Sequence, residues 1–301
     1  MYKINSLSDD LIIVVPENGT ILEATLSANI NHIHACGGNA RCSTCRVHVR
    51  KGLENCLPRN EAEQEMAEKL RFPASIRLAC QTQISGNVSI HRAISDDLDI
   101  DIISKQFGDD TGTQLGKEQN LAILFTDIVN YTTFAESLPG YDIVHVLNRY
   151  FQKMNDIISA NNGLISDVAG DGILALFGID NPENPVRDAV KSVQEMRVEI
   201  KNFNQYLRRM YGHEFGIRAG IHYGTAIVGN FETGHMKKIA AIGDAVNLAS
   251  RIETANKTFG TEILLSKSAY ELVKSSIALK ASYETDLKGK TGVFELVEPN
   301  L

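Results

Sequence analysis

All five cysteines of this 301-residue chain lie at or before residue 80, at Cys36, Cys42, Cys45, Cys56 and Cys80, and residues 81–301 hold none. That distribution divides the chain by chemistry before any element is assigned. An odd count argues against a disulfide framework. The clustering argues for one metal site confined to one domain, and the length suits two ordinary domains.

Cys36-Gly-Gly-Asn-Ala-Arg-Cys42-Ser-Thr-Cys45 puts three thiols in one loop, and Cys80 follows after a long gap in Arg77-Leu-Ala-Cys80-Gln81. Iron–sulfur clusters need four thiolates, because thiolate is the soft anionic ligand that suits iron and sulfide. A tight loop can wrap one side of a flat [2Fe-2S] cluster, and a distant fourth cysteine can close it. Gly37 and Gly38 suit a loop whose backbone approaches the sulfurs closely. A structural zinc site is the alternative, but such sites usually show two Cys-x-x-Cys knuckles and this chain has one. Cys56 has no place in the pattern and reads as a bystander thiol.

The loop is one residue longer than the plant-type C-x4-C-x2-C spacing. With Ser43-Thr44 and the ending Leu78-Ala79-Cys80-Gln81, it resembles the adrenodoxin and putidaredoxin ferredoxins over roughly residues 1–92. The resemblance implies a β-grasp domain whose Cys36, Cys42, Cys45 and Cys80 hold a [2Fe-2S] cluster. A partner redox protein is the corresponding expectation. Within this domain, Leu11–Val15 and Thr20–Ala24 read as strands around Glu17-Asn18-Gly19. Glu61–Leu70 reads as a helix and Val88–His91 as a closing strand.

Residues 93–118 crowd Asp96, Asp97, Asp99, Asp101, Asp109 and Asp110 with three glycines, the composition of an acidic linker. From residue 119 to 301 strands and helices alternate. Leu121–Ile128 is an apolar run of strand length. Tyr141–Ala160 carries an apolar stripe at helical spacing. Leu164–Ala169 and Ile173–Phe177 flank Gly170-Asp171-Gly172 as a hairpin. Asn184-Pro185 starts a long helix. Phe215–His222 and Thr225–Val228 read as a strand pair, and Ala245–Asn256 as a helix. The order βαββαβ predicts an α+β unit of the ferredoxin-like class, a split βαβ sheet with helices on one face.

Asp127 ends the first of these strands and Asp171 sits in the hairpin turn. Neighbouring strands would bring both carboxylates to one edge. Two carboxylates and a backbone carbonyl can hold two Mg²⁺ or Mn²⁺ ions roughly 3.5–4 Å apart, the apparatus of metal-assisted phosphoryl transfer. Asn247 and Arg251 are four apart and share a helix face. An amide and a guanidinium so placed suit a ribose and a developing phosphate charge.

Phe125-Thr-Asp127-Ile-Val-Asn-Tyr-Thr132, Gly170-Asp171-Gly-Ile-Leu-Ala-Leu-Phe177, Gly220-Ile-His222, Gly243-Asp-Ala-Val-Asn247-Leu-Ala-Ser-Arg251 and Leu287-Lys-Gly-Lys290 occur in this order. Together they resemble the class III adenylyl/guanylyl cyclase catalytic domain over residues 119–297. The resemblance implies that Asp127, Asp171 and the Ile128 carbonyl hold the metals. It implies that Asn247 positions the ribose, that Arg251 stabilises the transition state, and that Lys288 or Lys290 contacts the triphosphate. It also implies a homodimer with active sites at its interface, one chain giving metals and the other Asn247 and Arg251.

Two positions depart from the pattern. Adenylyl cyclases of this type usually have Lys where this chain has Asp167, and Asp or Thr where it has Ala240. An ionised Asp167 only accepts hydrogen bonds, so adenine and guanine are both open from the sequence. The expected function is synthesis of cyclic AMP from ATP, with redox regulation by the N-terminal domain. Cyclic GMP from GTP, or a non-catalytic nucleotide-binding electron carrier, is the alternative. A cluster serving only as a structural staple is a further one.

The remaining features exclude other classes. A net charge of −7 leaves no broad footprint for nucleic acid. No apolar run approaches the ~18–20 residues of a membrane helix, and the N-terminus lacks signal-peptide character, so a cytoplasmic protein is expected. No Walker loop is present.

Overall fold

In the computed structural model the described residues are 1–16, 19–94, 117–233 and 236–301. The chain divides into two compact units, Met1–Leu115 and Gly116–Leu301. The expected linker over 93–118 falls largely outside the described residues, as does most of the expected Glu17-Asn18-Gly19 turn.

The N-terminal unit is a five-stranded sheet in the order β2-β1-β5-β3-β4. Its strands are β1 (Tyr2–Ser6), β2 (Leu11–Val15), β3 (Arg46–Lys51), β4 (Ile76–Leu78) and β5 (Val88–Arg92). The β1–β2 hairpin is antiparallel, whereas β1 and β5 run parallel. Helices α1 (Ile21–Ser27) and α2 (Glu61–Leu70) accompany the sheet. Ile4, Ile21, Val47, Leu78 and Ile90 fill the core.

Thr20–Ala24, expected as a strand, instead starts α1. Thr20 is its N-cap: the Glu23 amide donates to Thr20 Oγ1 at 3.2 Å, and the Thr20 amide donates to Glu23 Oε2 at 2.7 Å. This Thr-x-x-Glu capping box satisfies two orphan amides and outweighs the β-branched composition of Thr20 and Ile21.

The C-terminal unit is built on a mixed sheet in the order β12-β13-β11-β9-β6-β8-β7, with β10 paired to β9. These strands are β6 (Lys117–Val129), β7 (Gly163–Ala169), β8 (Gly172–Phe177), β9 (Gly216–Thr233), β10 (Met236–Ile242), β11 (Ile263–Ser266), β12 (Leu279–Asp286) and β13 (Val293–Pro299). The helices are α3 (Tyr131–Ser137), α4 (Gly140–Ala160), α5 (Pro185–Tyr211), α6 (Asp244–Phe259) and α7 (Lys267–Glu271).

Alternation along β6 assigns the two faces. Ala122, Leu124 and Ile128 join the core made with α4 and α5, where Tyr150, Met154, Ile158, Val190 and Val193 are buried. Leu121 and Ile123, with Phe125 beside them, pack instead with Ala245 and Ala249 of α6. The expectation of helices on one face is therefore corrected, since α6 covers the face opposite to α4 and α5. The alanines on α6 let it lie close to the strands.

Phe215–His222 and Thr225–Val228, expected as two strands, are one continuous strand, β9. Gly224 makes no turn and pairs with Leu121. It is glycine because an added Cβ would lie 2.6 Å from His222 Nε2 and 3.1 Å from Ala245 Cβ. Gly220 is tighter still: a Cβ there would lie 2.2 Å from the Glu253 amide nitrogen and 2.8 Å from the Ala249 carbonyl oxygen. These are backbone atoms of α6 and cannot swing aside. Gly220→Ala is expected to destabilise the C-terminal unit by about 3 kcal/mol, read as a lower urea midpoint for its unfolding. An unchanged midpoint would mean that α6 is free to shift on the sheet.

Candidate active site and cluster site

Pairing of β6 with β8 ends at Thr126 opposite Ile173. Just beyond, the Ile128 amide donates to Asp171 Oδ2 at 3.3 Å, which draws the hairpin carboxylate onto the strand end. Asp127 lies on the α6 face, and Lys257 Nζ stands 3.3 Å from its Oδ2. Burial, and then the neighbouring Asp127 carboxylate, push Asp171 up to about 6. Burial, and then Asp127, also push Glu253 of α6 up to about 6, and Glu253 Oε1 is buried without a hydrogen-bond partner among the described residues. Raised carboxylates that persist beside Lys257 and Arg218 mark a place short of positive charge.

Oxygen donors of this kind suit Mg²⁺ or Mn²⁺. Such ions are typically held by one or two carboxylates, with the remaining positions filled by water and substrate phosphates. Among the described residues no group of three or more His, Cys, Asp or Glu side chains is gathered around one point for a metal ion.

Asn247 and Arg251 are exposed on α6. The α6 side chain that meets Asp127 is Lys257, six residues past Arg251 and about 240° around the helix. The single chain thus joins Asp127 to Asp171 but sets Asn247 and Arg251 on another face. Lys290 pairs with Asp244 in the first turn of α6, while Lys288 is exposed. Ala240 sits on β10 opposite Gly229. Asp167 on β7 is paired with Lys238 of β10 at 3.0 Å, a partner that the sequence reading did not single out. His222 is half-buried, with Nδ1 2.9 Å from Ser266 Oγ, and burial pushes it down to about 4.

In the N-terminal unit the thiols pair off. Cys45 Sγ lies 3.5 Å from Cys80 Sγ, and the Cys36 thiol is hydrogen-bonded with Cys42. Two thiol pairs, rather than four ligands around one point, fit a two-iron cluster with two cysteines on each iron. The backbone between them is bent for close approach. Gly37, Gly38 and Ala40 all have positive φ, at 69°, 85° and 52°. Amides of Asn39, Arg41 and Cys42 point at the Cys36 sulfur, and the Ala40 amide at Cys80. Concave runs of amides of this kind favour anions and recur at iron–sulfur sites. The Cys45 sulfur, as donor, lowers Cys80 to about 6 while Cys45 itself is raised. Cys56 stands outside this set, its backbone bridged to Ile84, and burial raises its thiol.

His32 is a residue of this site that the cysteine spacing did not reveal. Its side chain is buried, with Nδ1 2.8 Å from Thr25 Oγ1 and Nε2 3.2 Å from the Cys45 carbonyl oxygen. Burial, and then the Arg92 guanidinium, push it down to about 4, so the ring is neutral at pH 7. A carbonyl only accepts, so the single ring proton lies on Nε2, and the one Thr25 hydroxyl proton lies between Nδ1 and the Leu22 carbonyl oxygen, 2.9 Å away. The ring pegs α1 to the cluster loop.

Residues 114–297 match the family model described as the adenylate and guanylate cyclase catalytic domain. The chain belongs to that family. Residues 5–85 match the 2Fe-2S iron-sulfur cluster binding domain, so this cyclase-family chain carries a [2Fe-2S] domain at its N-terminal side. It is 29% identical to Adenylate cyclase 1 of Rhizobium meliloti over 62% of the chain and 28% of that protein. It is 31% identical to Adenylate cyclase of Anabaena cylindrica over 56% of the chain and 34% of that protein. The match thus spans about a third or less of these relatives' own length. Among solved structures, the guanylyl cyclase Cya2 superimposes with a TM-score of 0.57 at 28% identity, covering 61% of this chain and 93% of that one. The adenylyl cyclase CyaB from P. aeruginosa superimposes with a TM-score of 0.56 at 29% identity, covering 61% and 95%. Among the described residues no helix is long and apolar enough to cross a membrane.

Two outcomes are expected from His32 and His222. His32→Ala leaves the Cys45 carbonyl with the Ala79 amide alone and the Thr25 hydroxyl with the Leu22 carbonyl alone, so the ring no longer ties α1 to the cluster loop. The visible absorption of the loaded domain should then decay several-fold faster under a chelator, with unfolding of the cyclase domain unchanged. For His222, the unfolded chain takes up a proton near pH 6.5 that the folded chain refuses until about 4. Stability is therefore lost as pH falls through that window. Relative to His222→Asn, the wild type should lose roughly 2–3 kcal/mol between pH 6.5 and 4, measured by urea unfolding; a constant difference would refute the assignment.

Proposed function

We propose that the chain is a nucleotidyl cyclase that converts ATP into 3′,5′-cyclic AMP and pyrophosphate, acting as a homodimer whose turnover responds to its [2Fe-2S] domain. The observation that carries this reading is the junction of Asp127 and Asp171 at the end of β6, where both face a site short of positive charge.

In this reading Asp127, Asp171 and the Ile128 carbonyl hold the divalent cations. When bound, those ions supply activation of the ribose 3′-hydroxyl and neutralisation of the triphosphate. The hydroxyl gives up its proton to solvent as its oxygen bonds to the α-phosphorus, the bond from that phosphorus to the α–β bridging oxygen breaks, and pyrophosphate leaves with that oxygen. Asn247 orients the ribose, and Arg251 donates to the phosphoryl oxygens as their charge grows. Lys288 or Lys290 binds the triphosphate. Asn247 and Arg251 occupy a different α6 face from the residue that meets Asp127, which favours their service to a second chain's metals.

The test is a product assay on cluster-loaded protein with Mn²⁺ or Mg²⁺ and either ATP or GTP. Cyclic AMP should form with ATP and vanish in Asp127→Ala. Arg251→Ala or Asn247→Ala should lower kcat about 10²–10³-fold. Mixing inactive Asp127→Ala with inactive Arg251→Ala should restore turnover, because one mixed site is intact; no recovery would sink the two-chain site. Turnover should differ between oxidised and reduced cluster, since a coupling of about 1–3 kcal/mol makes a useful switch. Equal rates would remove the redox control.

A further inference from the structure

Lys257 Nζ lies 3.3 Å from Asp127 Oδ2, and the lysine side chain is half exposed. Such a pair is weak, and it engages a carboxylate that the cyclase reading assigns to a divalent cation. A divalent cation and an ammonium on the same carboxylate repel each other. The lysine must therefore leave Asp127 when a cation takes it, and α6 offers a second seat.

That seat is Glu253, four residues before Lys257. Residues four apart on a helix lie on one face, and glutamate on the N-terminal side of lysine is the favourable order. The Glu253 side chain is buried. Its Oε2 accepts from Thr254 Oγ1 at 3.3 Å, whereas Oε1 has no hydrogen-bond partner among the described residues. A buried carboxylate oxygen without a donor is costly, so its presence calls for a reason. Burial, and then Asp127, raise Glu253, whereas Lys257 and, more weakly, Arg218 draw it back. Arg218 stands opposite Asp127 on β9. Lys257 thus already acts on both carboxylates, pairing with one while the other keeps an acceptor for it.

The backbone beneath the two seats is fixed. The Glu253 amide nitrogen lies so close to Gly220 that an added Cβ would meet it at 2.2 Å, and Asn256 Nδ2 donates to the Ala219 carbonyl oxygen at 2.9 Å. Movement between the seats is left to the long side chain of Lys257. Among the described residues Glu253 is not gathered with Asp127 and Asp171 around one point, which sets it apart from the proposed metal ligands.

We propose that Lys257 is an exchangeable counterion of the cation site, pairing with Asp127 and passing to Glu253 when a divalent cation takes Asp127. This rests on the reading of Asp127 as a cation ligand and adds Lys257 and Glu253 as positioning residues that set how readily the cation binds.

The experiment uses the full, oxidised, cluster-loaded chain. Mn²⁺ is titrated with and without 3′-deoxy-ATP, which lacks the attacking hydroxyl, and the free ion is read by its paramagnetic resonance. Lys257→Met, which keeps the length without the charge, should tighten Mn²⁺ binding about 3–10-fold. Glu253→Gln should weaken it about tenfold in the wild-type background and less than about twofold beside Lys257→Met, because the loss arises only when the lysine has no second seat. Equal losses in both backgrounds would make Glu253 a ligand or a distant charge and overturn the exchange. An unchanged affinity in Lys257→Met, or no Mn²⁺ binding by either chain, would overturn it as well. If Mn²⁺ binding shows the coupling but no cyclic nucleotide forms from ATP or GTP, the cyclase reading fails and the exchange stands. If turnover is normal and the two substitutions act independently, the reverse holds.

Discussion

Thirteen residues of β6 pair with β9 in unbroken register, from Lys117 opposite Val228 to Val129 opposite Gly216. Everything that positions the candidate active site depends on this ladder. It fixes which β6 side chains face α4 and α5 and which face α6, because successive residues point to opposite sides. A slip of one residue would turn Asp127 into the α4–α5 core and Ile128 out toward α6. The same ladder presents Gly220 to the α6 backbone, so the helix that carries Asn247 and Arg251 is seated by the strand that aligns Asp127.

Charge in the C-terminal unit is arranged around an unmet need. Burial, and then the nearby Asp127 carboxylate, push Asp171 and Glu253 up to about 6, with Lys257 as the partner of Asp127. A fold selected for stability alone would gain from replacing such a group by apolar side chains. Its retention is what the proposed site for divalent cations and a triphosphate would require. The N-terminal unit meets the opposite problem, anionic sulfurs to be held close together. It does so with amides in left-handed turns, with the His32 peg, and with the buried Arg77–Glu63 ion pair at 2.8 Å, whose glutamate also accepts from the Leu78 amide two residues before Cys80.

Several elements were legible in the sequence because a short-range rule governs them. The helix from Pro185 to Tyr211 has its proline in the first turn and Gly212 at φ 67° just past its end, which is local chemistry. The β7–β8 hairpin and the apolar run of β6 follow from periodicity. The capping box at Thr20 and Glu23 was equally local but was outweighed in the reading by β-branched residues. Gly224 misled for a different reason. Glycine marks both turns and close approaches, and only the neighbour, here Ala245 on α6, distinguishes them.

The sequence by itself put forward Cys36, Cys42, Cys45 and Cys80, Asp127 and Asp171, and Asn247 and Arg251 as candidate site residues, because spacing along the chain groups each set. Only the tertiary structure decided that α6 crosses to the second face, that His32 reaches the Cys45 carbonyl from thirteen residues away, and that Lys238 meets Asp167 from seventy-one residues away. Such partners are chosen by strand register and helix packing. These set distances of a few ångströms between residues whose separation along the chain carries no trace of them.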